Sequence, residues 1–354
     1  MRFPGVEREW ELKRIGEVLK IGSGRDYKHL LSGDVPVFGT GGYMTSVNQY
    51  LHDGETVCIG RKGTINKPFY HTGKIWTVDT LFYTYSFECL IPRFCFNLFE
   101  RINWLQFNEA SGVPSLSKST IESIEVAIPD ITEQKKIAEF LFKIEKRIST
   151  QNKIIDKLKT LMQGLRDRLL TQKIRFKDEY RADFPEWEKQ ELGELLYYEQ
   201  PTKYLVESTE YDDSYSIPVL TAGKTFILGY SNETKGIFSE NLPVIIFDDF
   251  TTAIKFVDFP FKVKSSAMKI LLPKKGVNIY YVFEAMKSID YTIGGHERHW
   301  ISKYSKIIIP TSCSEEQTKI ANSLSSIDKK IETERGILKN YQQQLQFFLA
   351  NLFI

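Results

Sequence analysis

The sequence predicts an α+β fold with two tandem homologous domains, each followed by one long α-helix. Three observations lead to this prediction: an internal repeat, a change within each copy from strand-forming to helical sequence, and a heptad pattern in both helical stretches. The chain has 354 residues, of which 42% are hydrophobic, so it can bury more than one core. This apolar content also excludes a mainly disordered chain.

Short motifs recur in the same order in the two copies. Each copy begins with Phe-Pro, a Trp and then Ile-Gly-Glu or Leu-Gly-Glu, continues with Val-Pro-Val or Ile-Pro-Val before a turn, and reaches a Pro followed by Glu-Gln and Ile. These motifs occupy residues 3–17, 35–42 and 129–137 in the first copy and residues 184–194, 217–224 and 310–320 in the second. The period of about 180 residues is far longer than a solenoid unit and indicates a duplicated domain.

The first part of each copy is predicted to contain short strands and turns with a few helices. Runs of aromatic and β-branched residues such as 82–85 and 124–128 are typical of strands, and frequent Gly residues mark turns. Two stretches, residues 93–107 and 279–289, have a helical pattern. The predicted boundaries are 1–131 for the first domain, 132–175 for the central long helix, 176–314 for the second domain and 315–354 for the C-terminal helix.

The two helical stretches carry a heptad repeat with alternating spacings of four and three. A sustained repeat of 3.5 residues predicts a coiled coil, although two ordinary amphipathic helices on separate cores remain the alternative. One polar residue interrupts each seam at the same register, Gln151 in the first helix and Glu334 in the second. The predicted seam consists of Ile137, Leu141, Ile144, Ile148, Ile155, Leu158, Met162 and Leu165 in the first helix and Ile320, Leu324, Ile327, Ile331, Leu338, Tyr341, Leu345 and Phe348 in the second.

Chain geometry favours an antiparallel pair of helices. A helix over residues 132–172 spans roughly 60 Å at about 1.5 Å per residue. The connection over residues 173–183 reaches only about 36 Å when fully extended. An antiparallel pair needs no return excursion, and it predicts a pseudo-twofold axis with the two domains at opposite ends.

Positive charge is concentrated in the first long helix, although the whole chain is only +2. Residues 132–175 carry 12 Lys and Arg against 5 Asp and Glu, whereas the two predicted domains carry 14 against 15 and 16 against 20. The cations off the seam are Lys135, Lys136, Lys143, Lys146, Arg147, Lys153, Lys157 and Lys159. A solvated face and a surface for nucleic acid or an acidic partner both fit this pattern.

Patterns for catalysis or metal binding do not reach the required composition. Residues 66–69, Asn-Lys-Pro-Phe, resemble an amino-methyltransferase box, but Lys67 replaces the expected Pro and no glycine-rich cofactor loop accompanies it. His296 and His299 have no Cys or carboxylate set that would complete a zinc site. No bound metal and no cofactor in this chain are therefore expected.

Cysteine usage and hydropathy predict a cytoplasmic protein. The four Cys residues show no Cys-x-x-Cys spacing, which is typical of reduced thiols. No run of 18 apolar residues and no apolar signal core near the N-terminus are present in the sequence.

Two turn-rich loops in each copy have the composition of a DNA-reading surface. Arg and Lys can read guanine, while Ser, Thr and Asp can read other base edges, and Gly60 and Gly63 permit close backbone approach. An exposed loop Lys is also commonly just solvated. The candidate DNA-binding residues are Thr40, Tyr43, Arg61, Lys62, Thr64, Lys67, Ser115 and Lys118 in the first copy and Lys224, Asp249, Thr251, Lys255, Arg298, His299 and Lys303 in the second, with Arg61, Lys62, Lys224, Asp249 and Arg298 as the leading ones.

The repeated motifs resemble those of the specificity subunits of type I restriction–modification systems, and the resemblance covers the whole chain. It implies two target-recognition domains, each followed by a helix of a shared coiled coil, and no catalysis by this chain. It further implies a bipartite double-stranded DNA target, two methyltransferase subunits that bring S-adenosylmethionine, and motor–nuclease subunits that bring ATP and Mg. The second copy departs modestly, because two extra residues precede its Glu316.

Two other classes of function stay in view. A coiled-coil scaffold with two ligand-binding heads and no DNA role would have the same rod. A fused methyltransferase–nuclease is opposed by the missing cofactor loop and boxes.

Overall fold

The computed structural model describes residues 9–221, 223, 225–291 and 298–353. It has the mixed helix and strand content that the sequence predicts. By its internal contacts the chain divides into two compact units, one of Met1–Lys153 with Arg335–Ile354 and one of Ile154–Glu334. Each unit therefore combines one globular part with segments of both long helices.

The first unit contains a strand-rich globular part with three short helices. Its strands are β1 (Glu11–Arg14), β2 (Lys20–Ser23), β3 (Ser32–Gly39), β4 (Gly42–Val47), β5 (His52–Asp53), β6 (Thr56–Gly60), β7 (Phe69–His71), β8 (Lys74–Thr77), β9 (Leu81–Tyr85) and β10 (Glu125–Ile128). Its helices are α1 (Ile15–Val18), α2 (Pro92–Arg101), α3 (Lys118–Ser123) and the beginning of the first long helix, α4 (Ile131–Leu170).

Two four-stranded sheets and one ribbon organise this globular part. One sheet has the order β2-β9-β6-β7 and the other β4-β3-β8-β5, in which β3 and β8 run parallel. All five residues of β6 are buried, as expected of a central strand packed on both faces. The ribbon pairs β1 with β10, so the first strand lies beside the strand that leads into α4.

The second unit has the following elements. Its strands are β11 (Glu188–Glu191), β12 (Leu196–Glu199), β13 (Ile217–Leu220), β14 (Ile227–Ser231), β15 (Val244–Asp248), β16 (Ile254–Val257), β17 (Lys262–Val263), β18 (Met268–Pro273) and β19 (Ile308–Thr311). Its helices are the end of α4, α5 (Leu192–Leu195), α6 (Ile279–Lys287) and the beginning of the second long helix, α7 (Ser314–Asn351).

The strand order repeats between the units. The sheet β12-β18-β15-β16 corresponds to β2-β9-β6-β7, and the sheet β14-β13-β17 corresponds to β4-β3-β8. The parallel pair recurs as β13 with β17, and the ribbon recurs as β11 with β19. The predicted duplication is thus confirmed at the level of topology.

One predicted helix is too long. The stretch 93–107 is α2 followed by a separate 3₁₀ turn, Trp104–Phe107. The helix ends because Ile102 is extended, and the Trp104 indole folds back to donate to the carbonyl of Phe99 at 2.7 Å. The second predicted stretch, 279–289, agrees with α6 to within two residues.

The start of each long helix is held by its Glu-Gln pair. Trp10 Nε1 donates to Glu133 at 3.1 Å, and in the second unit Trp187 Nε1 donates to Glu316 at 2.8 Å. The adjacent amides, Gln134 and Gln317, are buried and bond main-chain groups on both sides. The recurring motif is therefore a joint between the globular part and its helix. Asp130 Oδ1 caps α4 by accepting from the backbone N–H groups of Thr132 and Glu133 at 2.8 and 2.9 Å.

The predicted seam residues of both long helices are all buried or half-buried. Within the first unit the two segments run antiparallel, because Phe140 contacts Phe348 with ring centroids 4.7 Å apart while Arg147 lies over the ring of Tyr341. The polar seam positions Gln151 and Glu334 are buried as well. A coiled coil along the whole length and its pseudo-twofold axis stay predictions.

Candidate nucleic-acid interface

Three loops of the first unit come together on one surface. The backbone N–H of Gly63 donates to the carbonyl of Pro114 at 2.8 Å, and that of Leu116 donates to the carbonyl of Arg61 at 2.9 Å. A Cβ placed on Gly63 would lie 3.4 Å from Thr40 Oγ1, so the β3–β4 turn is adjacent too. We call residues 39–44, 61–64 and 114–117 the first loop surface. It unites the predicted residues Thr40, Tyr43, Arg61, Lys62, Thr64 and Ser115.

Glycine is required where the chain leaves β6. A Cβ on Gly60 would lie 2.1 Å from the carbonyl oxygen of Thr64, a separation that forces the backbone to move. Gly63 has φ of +95°, which L side chains rarely adopt. The loop therefore folds tightly because two of its positions lack a side chain.

Arg61 lies at the rim of the first loop surface. Its backbone N–H donates to Thr80, while its guanidinium lies 3.5 Å from the carbonyl oxygen of Asp79 and 5.9 Å from the ring centroid of Phe82. Lys62 and Lys67 are also exposed. The main chain of this loop is anchored while its cationic side chains remain accessible.

A groove of about 760 Å³ adjoins the β3–β4 turn. Tyr43 and Met44 project from this hairpin with 63% and 51% of their surface exposed. Large apolar side chains at such a tip are typical of a surface that meets a partner. Tyr43 was predicted from the sequence, whereas Met44 and Lys28 were not; the apolar Met close after the Gly-Gly turn was the available signal. The lining residues include Tyr27, Lys28, Thr40, Tyr43, Met44 and Asp79.

The third loop is held by its own polar side chains. Asn108 accepts from the backbone N–H of Ser115 at 2.9 Å, and Glu109 accepts from the backbone N–H of Ser117 at 3.0 Å and from the Thr120 hydroxyl. The hydrogen bonds that Glu109 accepts, first from Thr120 and then from Ser117, lower the pKa of its carboxyl. Lys118 is not in the loop but in the first turn of α3, exposed and 3.7 Å from Glu122.

The two corresponding loops of the second unit are joined by Asp249. Its carbonyl accepts from the backbone N–H of His299 at 2.9 Å, and its carboxylate accepts from the backbone N–H of Trp300 at 2.8 Å. The other carboxylate oxygen lies 3.4 Å from the ammonium of Lys269. We call residues 248–253 and 298–303 the second loop surface.

The prediction of DNA contact disagrees with the structure for Asp249 and His299. Asp249 is 1% exposed and His299 is 0% exposed, so neither side chain reaches the surface. Asp249 lies between the two loops and Lys269, while His299 Nδ1 lies 3.0 Å from the Tyr291 hydroxyl. Both side chains act inside the domain, because non-local packing encloses the segments that carry them.

The other predicted residues of the second unit are placed differently. Lys255 is half-buried with its ammonium 5.6 Å from the ring centroid of Phe226. Lys224 lies outside the described residues, as do residues 292–297 of the predicted second loop. The exposed apolar residues Phe250 and Ile301 were missed by the sequence analysis. The exposed predicted residues are Thr251, Arg298 and Lys303.

The described residues contain no cluster of metal-ligating side chains. Across these ranges no group of three or more His, Cys, Asp or Glu side chains could hold a metal ion. Burial raises the pKa of the Cys58 and Cys95 thiols, which keeps both protonated. The exposed side chains of the loop surfaces, such as Arg61, Lys62 and Tyr43, can act by charge, hydrogen bonding and apolar contact. As for membranes, none of the described helices combines the length and apolarity that spanning a bilayer requires.

Comparison with known proteins gives one consistent family. The family model described as "Type I restriction modification DNA specificity domain" matches residues 7–160 and again residues 185–341. The chain is 54% identical over 134 residues to the EcoR124I/EcoR124II type I restriction enzyme specificity subunit of Escherichia coli, covering 36% of this chain and 33% of that relative. It is 26% identical over 260 residues to the putative MjaX specificity subunit of Methanocaldococcus jannaschii, covering 68% and 60%.

A solved structure has the same fold. The S subunit of a type I restriction–modification system from M. genitalium superposes with a TM-score of 0.74 over 99% of this chain and 97% of that one, at 14% identity. The aligned segments span only a third to three fifths of the two curated relatives.

Proposed function

The chain belongs to the family of type I restriction–modification DNA specificity subunits, and from this premise we propose that each of its two domains reads one half of a bipartite DNA target. One observation carries the proposal. The two domains share a scaffold and join their loops at equivalent places, yet they present different side chains there.

The first loop surface fits direct base reading. Arg61 and Lys62 are exposed on a tightly anchored loop, and an Arg on a fixed loop can bond the O6 and N7 of guanine. Tyr43 and Met44 offer apolar contact next to them. The second loop surface presents Thr251 and Arg298 instead. Two scaffolds with different exposed chemistry suit two different half-targets.

In this proposal the long helices connect the two recognition domains. In a rod of fixed length, the seam residues would set the separation of the two half-targets, and with it the length of the unread spacer. The Glu-Gln joints at Glu133 and Glu316 attach each globular part firmly to its helix. A rigid attachment is needed if the helices are to fix the distance between the two half-targets.

Catalysis belongs to partner subunits in this proposal. Two methyltransferase subunits dock on the chain and bring S-adenosylmethionine, and motor–nuclease subunits bring ATP and Mg. The chain itself is a non-catalytic, cytoplasmic recognition subunit.

Long-read methylation mapping of the host genome, with the gene intact and deleted, tests the proposal. We expect adenine methylation at one bipartite motif to disappear on deletion and to return on complementation. A catalytically inactive variant of the methyltransferase subunit that partners this chain in the proposal is the control, and it should abolish methylation at the same motif. An unchanged methylation pattern beside an intact, expressed methyltransferase would contradict the proposal and favour the scaffold alternative.

A further inference from the structure

The helical part of the first unit is far more basic than that of the second. Residues 131–153 and 335–354 together carry eight Lys and Arg against three Asp and Glu, and residues 335–354 contain no acid. Residues 154–170 and 314–334 carry seven against seven. We call the first pair of segments the basic helical pair. The same seam pattern is thus combined with two different charge patterns.

The fold directs two of the three carboxylates of this pair inward, whereas the third, Glu139, is exposed. Glu133 accepts from the Trp10 indole, and Glu145 pairs with Arg93 and accepts from Asn97 Nδ2 at 3.1 Å. These two acids are engaged by the globular part of the same unit. They are therefore not placed to neutralise cations on the outward face.

The cations on the outward face are crowded together. Lys143, Lys146 and Arg147 are exposed, and Lys143 lies three and four residues from the other two, which makes them neighbours on the helix surface. Along the described ranges, none of the three has a carboxylate within ion-pair distance. Like charges at these spacings destabilise a helix, so an anionic partner would stabilise this arrangement.

The same cations line a cleft of about 380 Å³. The Arg147 guanidinium lies 5.8 Å from the ring centroid of Tyr341, which holds it toward the cleft. The neutral polar side chains of Thr150 and Gln151 also line this cleft. Cations flanked by neutral hydrogen-bonding side chains suit a row of phosphates. The cleft is lined by Lys143, Lys146, Arg147, Thr150, Gln151 and Tyr341.

The apolar residues of this surface do not suit a docked protein helix. Helix docking needs anchors at spacings of three, four and seven residues. In the described parts of these segments, the large exposed apolar side chains are Ile131, Phe142 and Phe347, and the Phe142 ring already lies under the Arg93 guanidinium. These scattered positions form no stripe. Charge is the dominant property, and it favours nucleic acid over an acidic helix.

We propose that the basic helical pair binds the phosphate backbone of duplex DNA and supplies sequence-independent affinity. The inference rests on the proposed function, in which the contacted stretch is part of the unread spacer. The globular parts are net acidic by sequence, so a separate source of electrostatic affinity is needed. The basic helical pair is such a source.

Salt-dependent binding of the full chain tests this inference. The probe is a fluorescent duplex of about 40 base pairs with random sequence, titrated at about 50 to 200 mM salt. For the triple variant K143Q/K146Q/R147Q we expect the slope of log K against log salt to fall by about 2 to 3, since each lost phosphate contact removes about 0.9. The matched control, K157Q/K159Q/R168Q, removes three exposed cations from the other part of α4. The slope of this control should differ from that of the parent by less than about 0.9, the value of one phosphate contact.

Two outcomes would overturn the inference. A slope for K143Q/K146Q/R147Q that equals the slopes of both the parent and the control would show that these cations do not contact phosphates. A normal slope with loss of a co-purifying methyltransferase subunit would assign the surface to a protein partner. Failure of the proposed function is distinguishable, because it is read from the genomic motif, whereas this titration uses random DNA. The basic variant should also keep the parent's motif, since phosphate contacts carry no sequence information.

Discussion

The two loop surfaces are joined at equivalent places by different chemistry. In the first unit, backbone hydrogen bonds from Gly63 and Leu116 hold the loops together, and a glycine at position 60 permits the tight turn. In the second unit a backbone hydrogen bond from His299 to Asp249 is supplemented by the side chain of Asp249, whose carboxylate is buried with Lys269 and accepts from the backbone N–H of Trp300. The duplicated scaffold conserves the position of the joint without conserving the residues that make it.

The type of joint determines which side chains are available for recognition. A backbone joint leaves the side chains of its loop outside, so Arg61 and Lys62 stay exposed. When a side chain itself forms the joint, that side chain is buried and cannot contact a partner, as is the case for Asp249. In the first unit, substitutions should therefore affect either loop anchoring or target recognition. In the second unit, the two effects should be harder to separate.

Removing the buried joint should have the largest effect. Asp249→Ala leaves the Lys269 ammonium buried without its partner and frees the backbone N–H of Trp300. Breaking such a pair costs about 3 to 5 kcal/mol, so we expect that loss in urea unfolding of the chain. In genomic methylation data, the part of the motif that the second domain reads should no longer be specified. The control Thr251→Ala alters an exposed side chain and should change stability by no more than about 0.5 kcal/mol. A stable Asp249→Ala variant with the full motif would refute the joint.

Adding a methyl group at the tight turn should have the next largest effect. Gly60→Ala places a Cβ 2.1 Å from the Thr64 carbonyl oxygen, so the loop must shift. We expect destabilisation of about 1 to 3 kcal/mol and degraded reading of the first half-target, measured by unfolding and by motif analysis. Gly112→Ala is matched, since its Cβ would meet nothing within 4 Å. Similar behaviour of the two variants would contradict the close approach.

Truncating the exposed side chain of Arg61 should affect target recognition more than the stability of the fold. Arg61→Ala removes a side chain at the rim of the first loop surface, so stability should change by less than about 0.5 kcal/mol. Base discrimination at one position of the first half-target should fall by about 1 to 3 kcal/mol, seen as a relaxed motif in methylation sequencing. A uniform loss of methylation with an unrelaxed motif would instead assign Arg61 to a phosphate.

The smallest effect concerns the hydrogen-bonded carboxyl of the third loop. The pKa of Glu109 is lowered in the folded chain, so its carboxylate stabilises the fold above the ordinary Glu pKa of about 4.3. That contribution is lost as pH falls through the lowered folded value. The difference in thermal midpoint between the parent and Glu109→Gln should therefore be larger at pH of about 6 than at pH of about 3. A difference that grows on acidification would contradict the assigned hydrogen bonds.

Much of the fold could be predicted because its signals are local or repetitive. The duplication was visible in short motifs, and both long helices were located to within a few residues by their heptads. The helix over 93–107 was overextended because its interruption depends on the Trp104 indole reaching back to Phe99. Within the candidate site, the exposed cations of the first unit were found, whereas the burial of Asp249 and His299 was not.

The two-copy architecture, the seam positions and the family could be recognised without a structure, because hydrophobic period and motif order are written along the chain. Packing, by contrast, sets which polar residues of the loops face outward and which carboxylates of α4 face inward. Burial of a polar group depends on partners far away in the chain, as with Asp249 and Trp300 or Glu145 and Arg93. Such pairings arise when distant segments pack, and only the charge that stays exposed after packing is available to an anionic partner.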